Sequence, residues 1–254
     1  MGAKQTQCGN DRHMFIQAGM DVDHDEIRIV ESLPSKSETH SLDGLRALQE
    51  NLADSFCLDR GMAAVSFDGP GQGEFRARTG RVLRVKDYDR ALGAVADFVQ
   101  RDNRIDGKRL GIYARATGAL LAFHAAASDK RFKAVVAHPG AFHYANFFEQ
   151  AYAHTLVSHR LEMCSLLGAK TLDEGTRLVQ QELTLEDVAD QVDFPILSVC
   201  SADDETMPTT ESTILQQRVK GPVEIVTFPG KGHGGPSRLS LPLEADWMRE
   251  RLLA

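Results

Sequence analysis

The chain has 254 residues, of which 42% are apolar and 26% are charged, a composition that suits one globular domain with a sizeable core. Its 36 acidic residues outnumber its 29 basic ones, and a net charge of -7 without a long basic run excludes the electrostatic footprint of a nucleic-acid binder. No stretch approaches the roughly 18 apolar residues that span a bilayer, and residues 1–14 hold no apolar run typical of a secretory signal.

The predicted elements begin after a polar N-terminal segment. Residues 1–24 show no apolar periodicity, so we expect a loose arm or an edge element there. Short apolar runs then alternate with helical patterns. In chain order we predict a strand at 26–30, a helix at 41–61, a strand at 62–68, a helix at 88–101, a strand at 109–113, a helix at 117–127, a strand at 132–140, helical patterns alone at 141–190, a strand at 195–202, a helix after Pro208, a strand at 222–228 and a helix at 240–254.

This alternation predicts the fold class and the domain organisation. Apolar strands separated by helices are typical of βαβ units and of a mainly parallel sheet with helices on both faces. We therefore expect an α/β core formed by residues 25–140 and 191–254. The helical segment 141–190 is predicted to form a lid above the carboxyl ends of the strands, where ligands bind in such sheets.

One predicted strand–turn–helix segment has the pattern of a nucleophile elbow. Its sequence is GIYARATGALLA at 111–122, and the small residues Ala114 and Gly118 suit a tight strand-to-helix turn. The apex, where a serine nucleophile belongs, is Ala116. A methyl group cannot attack a carbonyl, so this position departs from a working hydrolase.

Two later loops supply an acid and a histidine. Asp204 follows a late strand and precedes Pro208 by four residues, the setting of a triad carboxylate, with Asp203 as the alternative. His233 lies in the glycine-rich loop FPGKGHGG at 228–235, after the last strand. The order of elbow, acid and histidine is that of α/β-hydrolases and differs from the orders in chymotrypsin and subtilisin.

Longer stretches of the chain resemble one group of these hydrolases. They are DRGMAAVSFDGPGQGEF at 59–75, DYDRALGAVADFV at 87–99, IDGKRLGIYARATGALLAFHAAASDKRFKAVVAHPG at 105–140, LTLEDVADQVDFPILSVCSADDETMP at 183–208 and ADWMRERL at 245–252. Over residues 25–254 the chain resembles the α/β-hydrolases around the fermentation-respiration switch protein and the 2,6-dihydroxypseudooxynicotine hydrolase, with fungal heptaketide-shortening hydrolases as relatives. The resemblance implies a serine hydrolase that cleaves esters, or carbon–carbon bonds of aryl ketones and polyketides.

The resemblance also implies residue roles. Asp204 would orient His233, which would take the proton from a serine at position 116. The backbone N–H groups of Thr117 and of Ser32 and Leu33 would form the oxyanion hole. The loop at 32–38 reads SLPSKSE where the family resembles G-L-D-S-x-K-E, so its N–H donor is expected to be placed differently.

The lid segment carries candidates for a substrate pocket. An aromatic cluster within residues 141–156 could hold a flat aryl or polyketide ligand, and the alternative is that these rings pack the lid onto the body. Its members are Phe142, His143, Tyr144, Phe147, Phe148 and Tyr152. Arg115, which matches the family's elbow pattern G-R-S-L-G-G, and His138 complete the candidate set, with a core position as the alternative for His138.

No cofactor and no metal are expected. The lid histidines lack HExxH spacing, and the GPGQG turn lacks the Lys-Ser/Thr of a phosphate-binding loop. Four widely spaced cysteines favour free thiols and a cytoplasmic protein. The predicted partner is a small aromatic or polyketide-like substrate, with no nucleic acid and no membrane, and a homodimer is the assembly allowed for.

Ala116 leaves two explanations open. Either the alanine replaces a native serine to stop turnover, which the retained Asp204 and His233 favour, or the nucleophile was lost naturally. The altered residues Ala114, Ala119 and Ser32 favour natural loss. In the second case the chain would be a lyase, cyclase or epimerase using the Asp204–His233 base, or a ligand-binding protein on the hydrolase fold.

Overall fold

One seven-stranded sheet organises the protein. The computed structural model describes residues 12–18, 28–30, 55–67, 69–72, 75–76, 79–146, 157–230, 232–233 and 237–253. The strands are β1 Arg12–Ala18, β2 Arg28–Val30, β3 Met62–Ser66, β4 Ile105–Arg115, β5 Phe132–His138, β6 Ile196–Ser201 and β7 Val223–Phe228. Their order is β2-β3-β1-β4-β5-β6-β7, and every neighbouring pair is parallel except the antiparallel pair β2–β3. The predicted mainly parallel α/β sheet is confirmed.

Helices cover both faces of this sheet, as predicted. They are α1 Val85–Gln100, α2 Thr117–Ser128, α3 Val157–Leu167, α4 Leu172–Glu182, α5 Thr209–Arg218 and α6 Ser237–Leu253, with a short 3-10 helix at Ala189–Gln191. One face packs against α1 and α2, and the other packs against α6 through Tyr113 and Met248. Within the described ranges, no helix combines the length and the apolar character needed to cross a membrane.

The N-terminal segment is where the sheet differs from the prediction. We expected a loose arm or an edge element over residues 1–24, but β1 is an internal strand that pairs with β3 on one side and β4 on the other. That expectation is wrong for residues 12–18. The apolar run Met14–Ile16 is too short to stand out in the sequence, and the strand is fixed by backbone hydrogen bonds along both of its edges.

The remaining elements lie close to their predicted positions. The predicted strand at 26–30 contains β2, and the final helix begins three residues earlier than expected, at Ser237. Residues 55–58 are helical and fall in the predicted helix 41–61, whose residues 41–54 lie outside the described part of the chain. Gly61 ends this segment with a left-handed backbone, φ 77°, as the predicted helix stop requires.

The helical segment predicted as a lid shares its core with the body. Met163, Leu167 and Val179 are buried in the same apolar cluster as Leu83, and the N–H of Leu83 donates to the carbonyl of Leu166 at 2.8 Å. Burial of this continuous apolar surface attaches α3 and α4 firmly to the sheet. The segment is therefore packed onto the body in this structure.

Backbone pairing also holds together the two ends of this segment. The N–H of Tyr144 donates to the carbonyl of Leu183 at 2.9 Å, and the N–H of Leu185 donates to the carbonyl of Phe142 at 3.0 Å. These bonds flank an isolated antiparallel bridge between residues 143 and 184, which the purely helical prediction did not include. The chain thus leaves the body and returns to it at one point.

Candidate functional site

Three predicted site residues follow parallel strands of the sheet. Ala116 comes directly after β4, Asp204 follows β6, and His233 follows β7. Because β4, β6 and β7 run in the same direction, their carboxyl ends lie at one edge of the sheet. Ligands bind at this edge in open α/β sheets, so the topology collects the predicted residues at the expected place.

The turn at Ala116 has the backbone of a nucleophile elbow. Its dihedral angles are φ 47° and ψ -125°, and among the described residues it is the one non-glycine residue with a positive φ. Its N–H donates to the carbonyl of His138 at 3.1 Å, and its own carbonyl accepts from the N–H of Ala119 at 3.0 Å. Both bonds hold a conformation that costs an L-residue on the order of 1–3 kcal/mol.

The helix after this turn presents backbone donors at the site. Thr117 is the first residue of α2, and the preceding Ala116 offers no side-chain cap. The first N–H groups of a helix have no partner within the helix, and the helix dipole adds partial positive charge there. The N–H of Thr117 lies at this helix N-terminus and stays a predicted oxyanion-hole donor, while Ser32 and Leu33 lie outside the described residues.

An acid–histidine pair lies across the carboxyl ends of β6 and β7. The Nδ1 atom of His233 is 2.9 Å from Oδ2 and 3.1 Å from Oδ1 of Asp204. The Asp204 side chain is 1% exposed and that of His233 is 37% exposed, so the pair runs from the interior to the surface. Of the two candidate acids, Asp204 is thus the one whose carboxylate contacts the imidazole.

The environment of Asp204 favours its charged form. Burial would raise the pKa of this carboxyl group, but the hydrogen bond and charge of His233 outweigh it and lower the pKa. The N–H groups of Thr206 and Met207 add to this by donating to Oδ1 at 2.9 and 2.8 Å. A carboxylate at Asp204 accepts Nδ1–H of His233 and leaves Nε2 as the nitrogen that can take a proton.

Three of the predicted pocket residues are core residues instead. The His138 ring is 1% exposed, and its Nδ1 lies 2.6 Å from Oε1 of Glu244, which is equally buried. Phe142 is 1% exposed and Tyr144 is 3% exposed, both within the apolar cluster between sheet and lid. The alternative of rings that pack the lid onto the body, and of a core histidine, applies to these positions.

The other pocket candidates divide between two groups. Arg115 and His143 are half-buried, and Nδ1 of His143 accepts the N–H of Ala145 at 3.3 Å. Phe147, Phe148 and Tyr152 lie outside the described residues. Arg115 and His143 therefore remain the described candidates for substrate contact.

One buried carboxylate near the elbow was not predicted from the sequence. Glu244 pairs with the His138 ring, and the His138 carbonyl accepts the N–H of Ala116. Glu244 thereby connects helix α6 to the elbow. The available signal was its spacing from Leu241 and Met248, which places an acid on the apolar face of the helix.

A second buried carboxylate lies at the base of the lid. Glu211 on α5 is 3% exposed and accepts the N–H of His143 at 3.2 Å and the side-chain amide of Asn146 at 2.9 Å. Arg218 on the same helix stacks over the Phe142 ring at 4.6 Å. Helix α5 thus holds the first residues of the predicted lid segment through hydrogen bonds to Glu211.

No cation site accompanies these carboxylates in the described part of the chain. No group of three or more His, Cys, Asp or Glu side chains is arranged there to hold a metal ion. Cys57, Cys164 and Cys200 are free thiols, and all three are buried.

Comparisons with known proteins relate this site to hydrolases. The prolyl oligopeptidase family matches residues 51–251. The 2,6-dihydropseudooxynicotine hydrolase of Paenarthrobacter nicotinovorans is 26% identical over 238 residues, which are 90% of this chain and 61% of that protein. The 20-hydroxy-prefusarin hydrolase of Gibberella moniliformis is 38% identical over 87 residues, 33% of this chain and 20% of that protein. The chain thus spans about three fifths of the first relative's length and a fifth of the second's.

The fold is shared with a solved structure. The crystal structure of 2,6-dihydroxy-pseudo-oxynicotine hydrolase aligns with 98% of this chain and 62% of its own, with a TM-score of 0.76 and 21% identity. At this identity the likeness shows the fold and leaves the substrate to be argued from the site.

Proposed function

Since the chain belongs to the prolyl oligopeptidase family of α/β-hydrolases, we propose that it is built as a serine hydrolase of a small molecule, with Ala116 at the nucleophile position. The proposed substrate is an ester, or an aryl ketone or polyketide-like compound cleaved at a carbon–carbon bond. Support for the second class comes from the two curated relatives, which are named as hydrolases of 2,6-dihydropseudooxynicotine and of 20-hydroxy-prefusarin.

One observation carries this proposal, the backbone of Ala116. A φ of 47° with a ψ of -125° is unfavourable for alanine, and the residue keeps it at the tight turn between β4 and α2. Such strain persists at functional sites, where it exposes a nucleophile between a strand and a helix. Position 116 therefore has the geometry of a nucleophile although its side chain cannot act as one.

In the proposed mechanism the site residues act in successive chemical steps. Asp204 holds Nδ1–H of His233, so Nε2 accepts the proton of a serine hydroxyl at position 116 as its oxygen attacks the substrate carbonyl. The N–H of Thr117 stabilises the oxyanion that forms. His233 then returns the proton to the leaving group, and water releases the acyl group from position 116. With alanine at position 116, substrate binding and proton transfer by His233 are the steps that remain.

The leaving group distinguishes the two substrate classes. In an ester the bond from the carbonyl carbon to oxygen breaks, and His233 protonates the departing alkoxide. In a 1,3-dicarbonyl compound the bond to carbon breaks, the electron pair leaves as an enolate, and His233 protonates that enolate. Both reactions need the same base, so the site accommodates either without a further residue.

The test is Ala116→Ser. The variant is expected to hydrolyse an activated aryl ester with a burst of about one product per chain, since acylation of the new serine precedes slower deacylation. Ala91→Ser, which adds a hydroxyl at another partly buried alanine on α1, is the matched control and should show no burst. Adding His233→Ala to Ala116→Ser should reduce the rate by a factor on the order of 10³ or more. A folded Ala116→Ser protein as inert as its parent contradicts the hydrolase proposal.

The Asp204–His233 pair is complete although position 116 carries alanine. This favours a second candidate function, in which His233 acts as a base and no nucleophile is used. His233 would remove a proton next to a carbonyl, as a lyase, cyclase or epimerase requires. The unchanged chain should then accelerate exchange of the central protons of a 1,3-diketone with deuterated solvent, and His233→Ala should abolish the acceleration. Exchange at the buffer rate excludes this candidate for that substrate class.

A further inference from the structure

Consecutive residues at the exit of β6 contact the loop that carries His233. The N–H of Ala202 donates to the carbonyl of Phe228 at 2.9 Å, and the hydroxyl of Ser201 donates to the carbonyl of Gly230 at 3.0 Å. The N–H of Gly232 donates to Oδ1 of Asp203 at 2.7 Å. With the Asp204–His233 pair, each of the four residues 201–204 makes one contact to the segment 228–233.

This segment cannot hold itself in place. Gly230 and Gly232 have left-handed backbones, with φ of 65° and 64°, and both lie after the end of β7 at Phe228 and before α6. Glycine loses more conformational freedom on ordering than any other residue, so a glycine-rich loop needs external contacts to keep one conformation. The described contacts that reach beyond Phe228 come from Ser201, Asp203 and Asp204.

The bond from Gly232 to Asp203 has the most direct effect on the histidine. Gly232 immediately precedes His233, so the bond fixes the backbone one residue before the one that carries the imidazole. The acceptor is a carboxylate, and charge-assisted bonds of this kind are stronger than neutral ones. Ser201 is 2% exposed, and its hydroxyl holds the carbonyl of Gly230, two residues before Gly232.

We propose that Asp203 and Ser201 are positioning residues that hold Gly232 and Gly230 so that the His233 ring meets Asp204 and faces position 116. The two adjacent acids thus act on the same loop in different ways, because Asp204 binds the imidazole and Asp203 binds the backbone. The inference rests on the proposed function only in so far as His233 is the base of that reaction.

The test uses the chain as it stands, with Ala116. Proton NMR of protein labelled with 15N-histidine detects the low-field Nδ1–H resonance that a hydrogen bond from His233 to Asp204 produces. Its loss in His233→Ala distinguishes it from the resonance of the buried His138–Glu244 pair. This resonance should be present in the parent and largely kept in Asp203→Asn, whose amide oxygen still accepts from Gly232. It should be lost or strongly broadened in Asp203→Ala. Ser201→Ala should weaken it, and the melting temperature should show that both variants remain folded.

Asp190→Ala is the matched control for removal of an acid. Asp190 is 89% exposed and pairs with Lys220 at 3.1 Å, before the amino ends of β6 and β7 and not at the carboxyl ends that His233 follows, so its removal should leave the resonance unchanged. In an active Ala116→Ser protein, Asp203→Ala should lower kcat about tenfold with little change in KM, and Asp203→Asn should restore most of that loss.

The outcomes separate this inference from the proposed function. Loss of the resonance in Asp203→Ala alone supports the positioning role even when Ala116→Ser is inert, in which case only the hydrolase proposal fails. An undiminished resonance in a folded Asp203→Ala protein overturns the positioning role. Absence of the resonance from the parent also overturns it, because the His233–Asp204 bond would then not be held in solution.

Discussion

Replacement of Ala116 by glycine is expected to raise the free energy of unfolding, whereas an ordinary alanine-to-glycine change lowers it. Glycine adopts φ 47° and ψ -125° without a Cβ clash, so the variant releases the strain of the elbow, on the order of 2 kcal/mol. Against this, the greater freedom of glycine in the unfolded chain costs about 0.5–1 kcal/mol. The lost methyl group is only half-buried and costs about 0.4 kcal/mol. The net expectation is a gain of about 0.5–1 kcal/mol in the free energy of unfolding.

The matched control is Ala125→Gly in the helix that the elbow begins. Ala125 lies inside α2 and is 1% exposed, so its replacement loses helix propensity, about 1 kcal/mol, and a fully buried methyl group, about 0.8 kcal/mol. The control should therefore be destabilised by about 2 kcal/mol. The two variants should differ by about 3 kcal/mol, or about 6–12 °C in melting temperature for a chain of this size.

Urea unfolding followed by circular dichroism measures both variants against the parent, with linear extrapolation to water. Equal slopes against urea show that the native and unfolded states stay comparable. A loss of about 2 kcal/mol in Ala116→Gly, matching the control, would refute the assignment of strain to position 116. Position 116 would then carry no strain that marks it as a nucleophile elbow.

Two further substitutions test buried carboxyl groups. Glu244→Ala should lower the free energy of unfolding by about 3–5 kcal/mol, since it removes the partner of the buried His138 ring. Asp246→Ala on the same helix removes a side chain that is 60% exposed and should lower it by less than about 1 kcal/mol. Thermal unfolding measures both variants, and equal losses would contradict the described burial. Burial raises the pKa of Asp89 from 3.8 to about 6, more than nearby Lys86 lowers it, so the folded state loses stability as the pH rises from about 4 to 6. This difference in pKa corresponds to about 3 kcal/mol in the free energy of unfolding, and solvent screening of the partly buried group reduces it to about 1–2 kcal/mol. Asp89→Asn should abolish this loss of stability between pH 4 and 7. An unchanged pH dependence in Asp89→Asn would show that another group is responsible.

Elements buried on both faces could be predicted well from the sequence. Strand β5 spans Phe132–His138 within the predicted 132–140, and α2 spans Thr117–Ser128 against the predicted 117–127. A parallel strand covered by helices reads as a continuous apolar run, and the small-residue helix after it is equally clear. Strand β1 lacks such a run, and its place between β3 and β4 depends on pairing with residues far along the chain.

Some contacts of the candidate site could likewise be predicted from the sequence, and others could not. Asp204 and His233 were found because a hydrolase needs its acid and histidine after particular strands, and the glycine-rich loop marks the second of them. The bond between Gly232 and Asp203 and the pair of His138 with Glu244 join residues 29 and 106 positions apart, which local patterns do not connect. Phe142 belongs to the core for a similar reason, since an aromatic ring in a lid has the same sequence whether it lines a pocket or packs beneath it.

These long-range contacts bear on the two explanations of Ala116. The elbow keeps a strained alanine, Asp204 stays buried and charged beside His233, and the glycine-rich loop is held by Ser201 and Asp203. The strained backbone of Ala116 costs stability and the glycine-rich loop costs ordering entropy, whereas the lowered pKa of Asp204 indicates that its contact with His233 is favourable. A chain with no use for the site would gain by relaxing position 116, because one substitution by glycine is enough to do so. Their joint retention favours a site shaped around a serine at position 116 over one that has drifted away from catalysis.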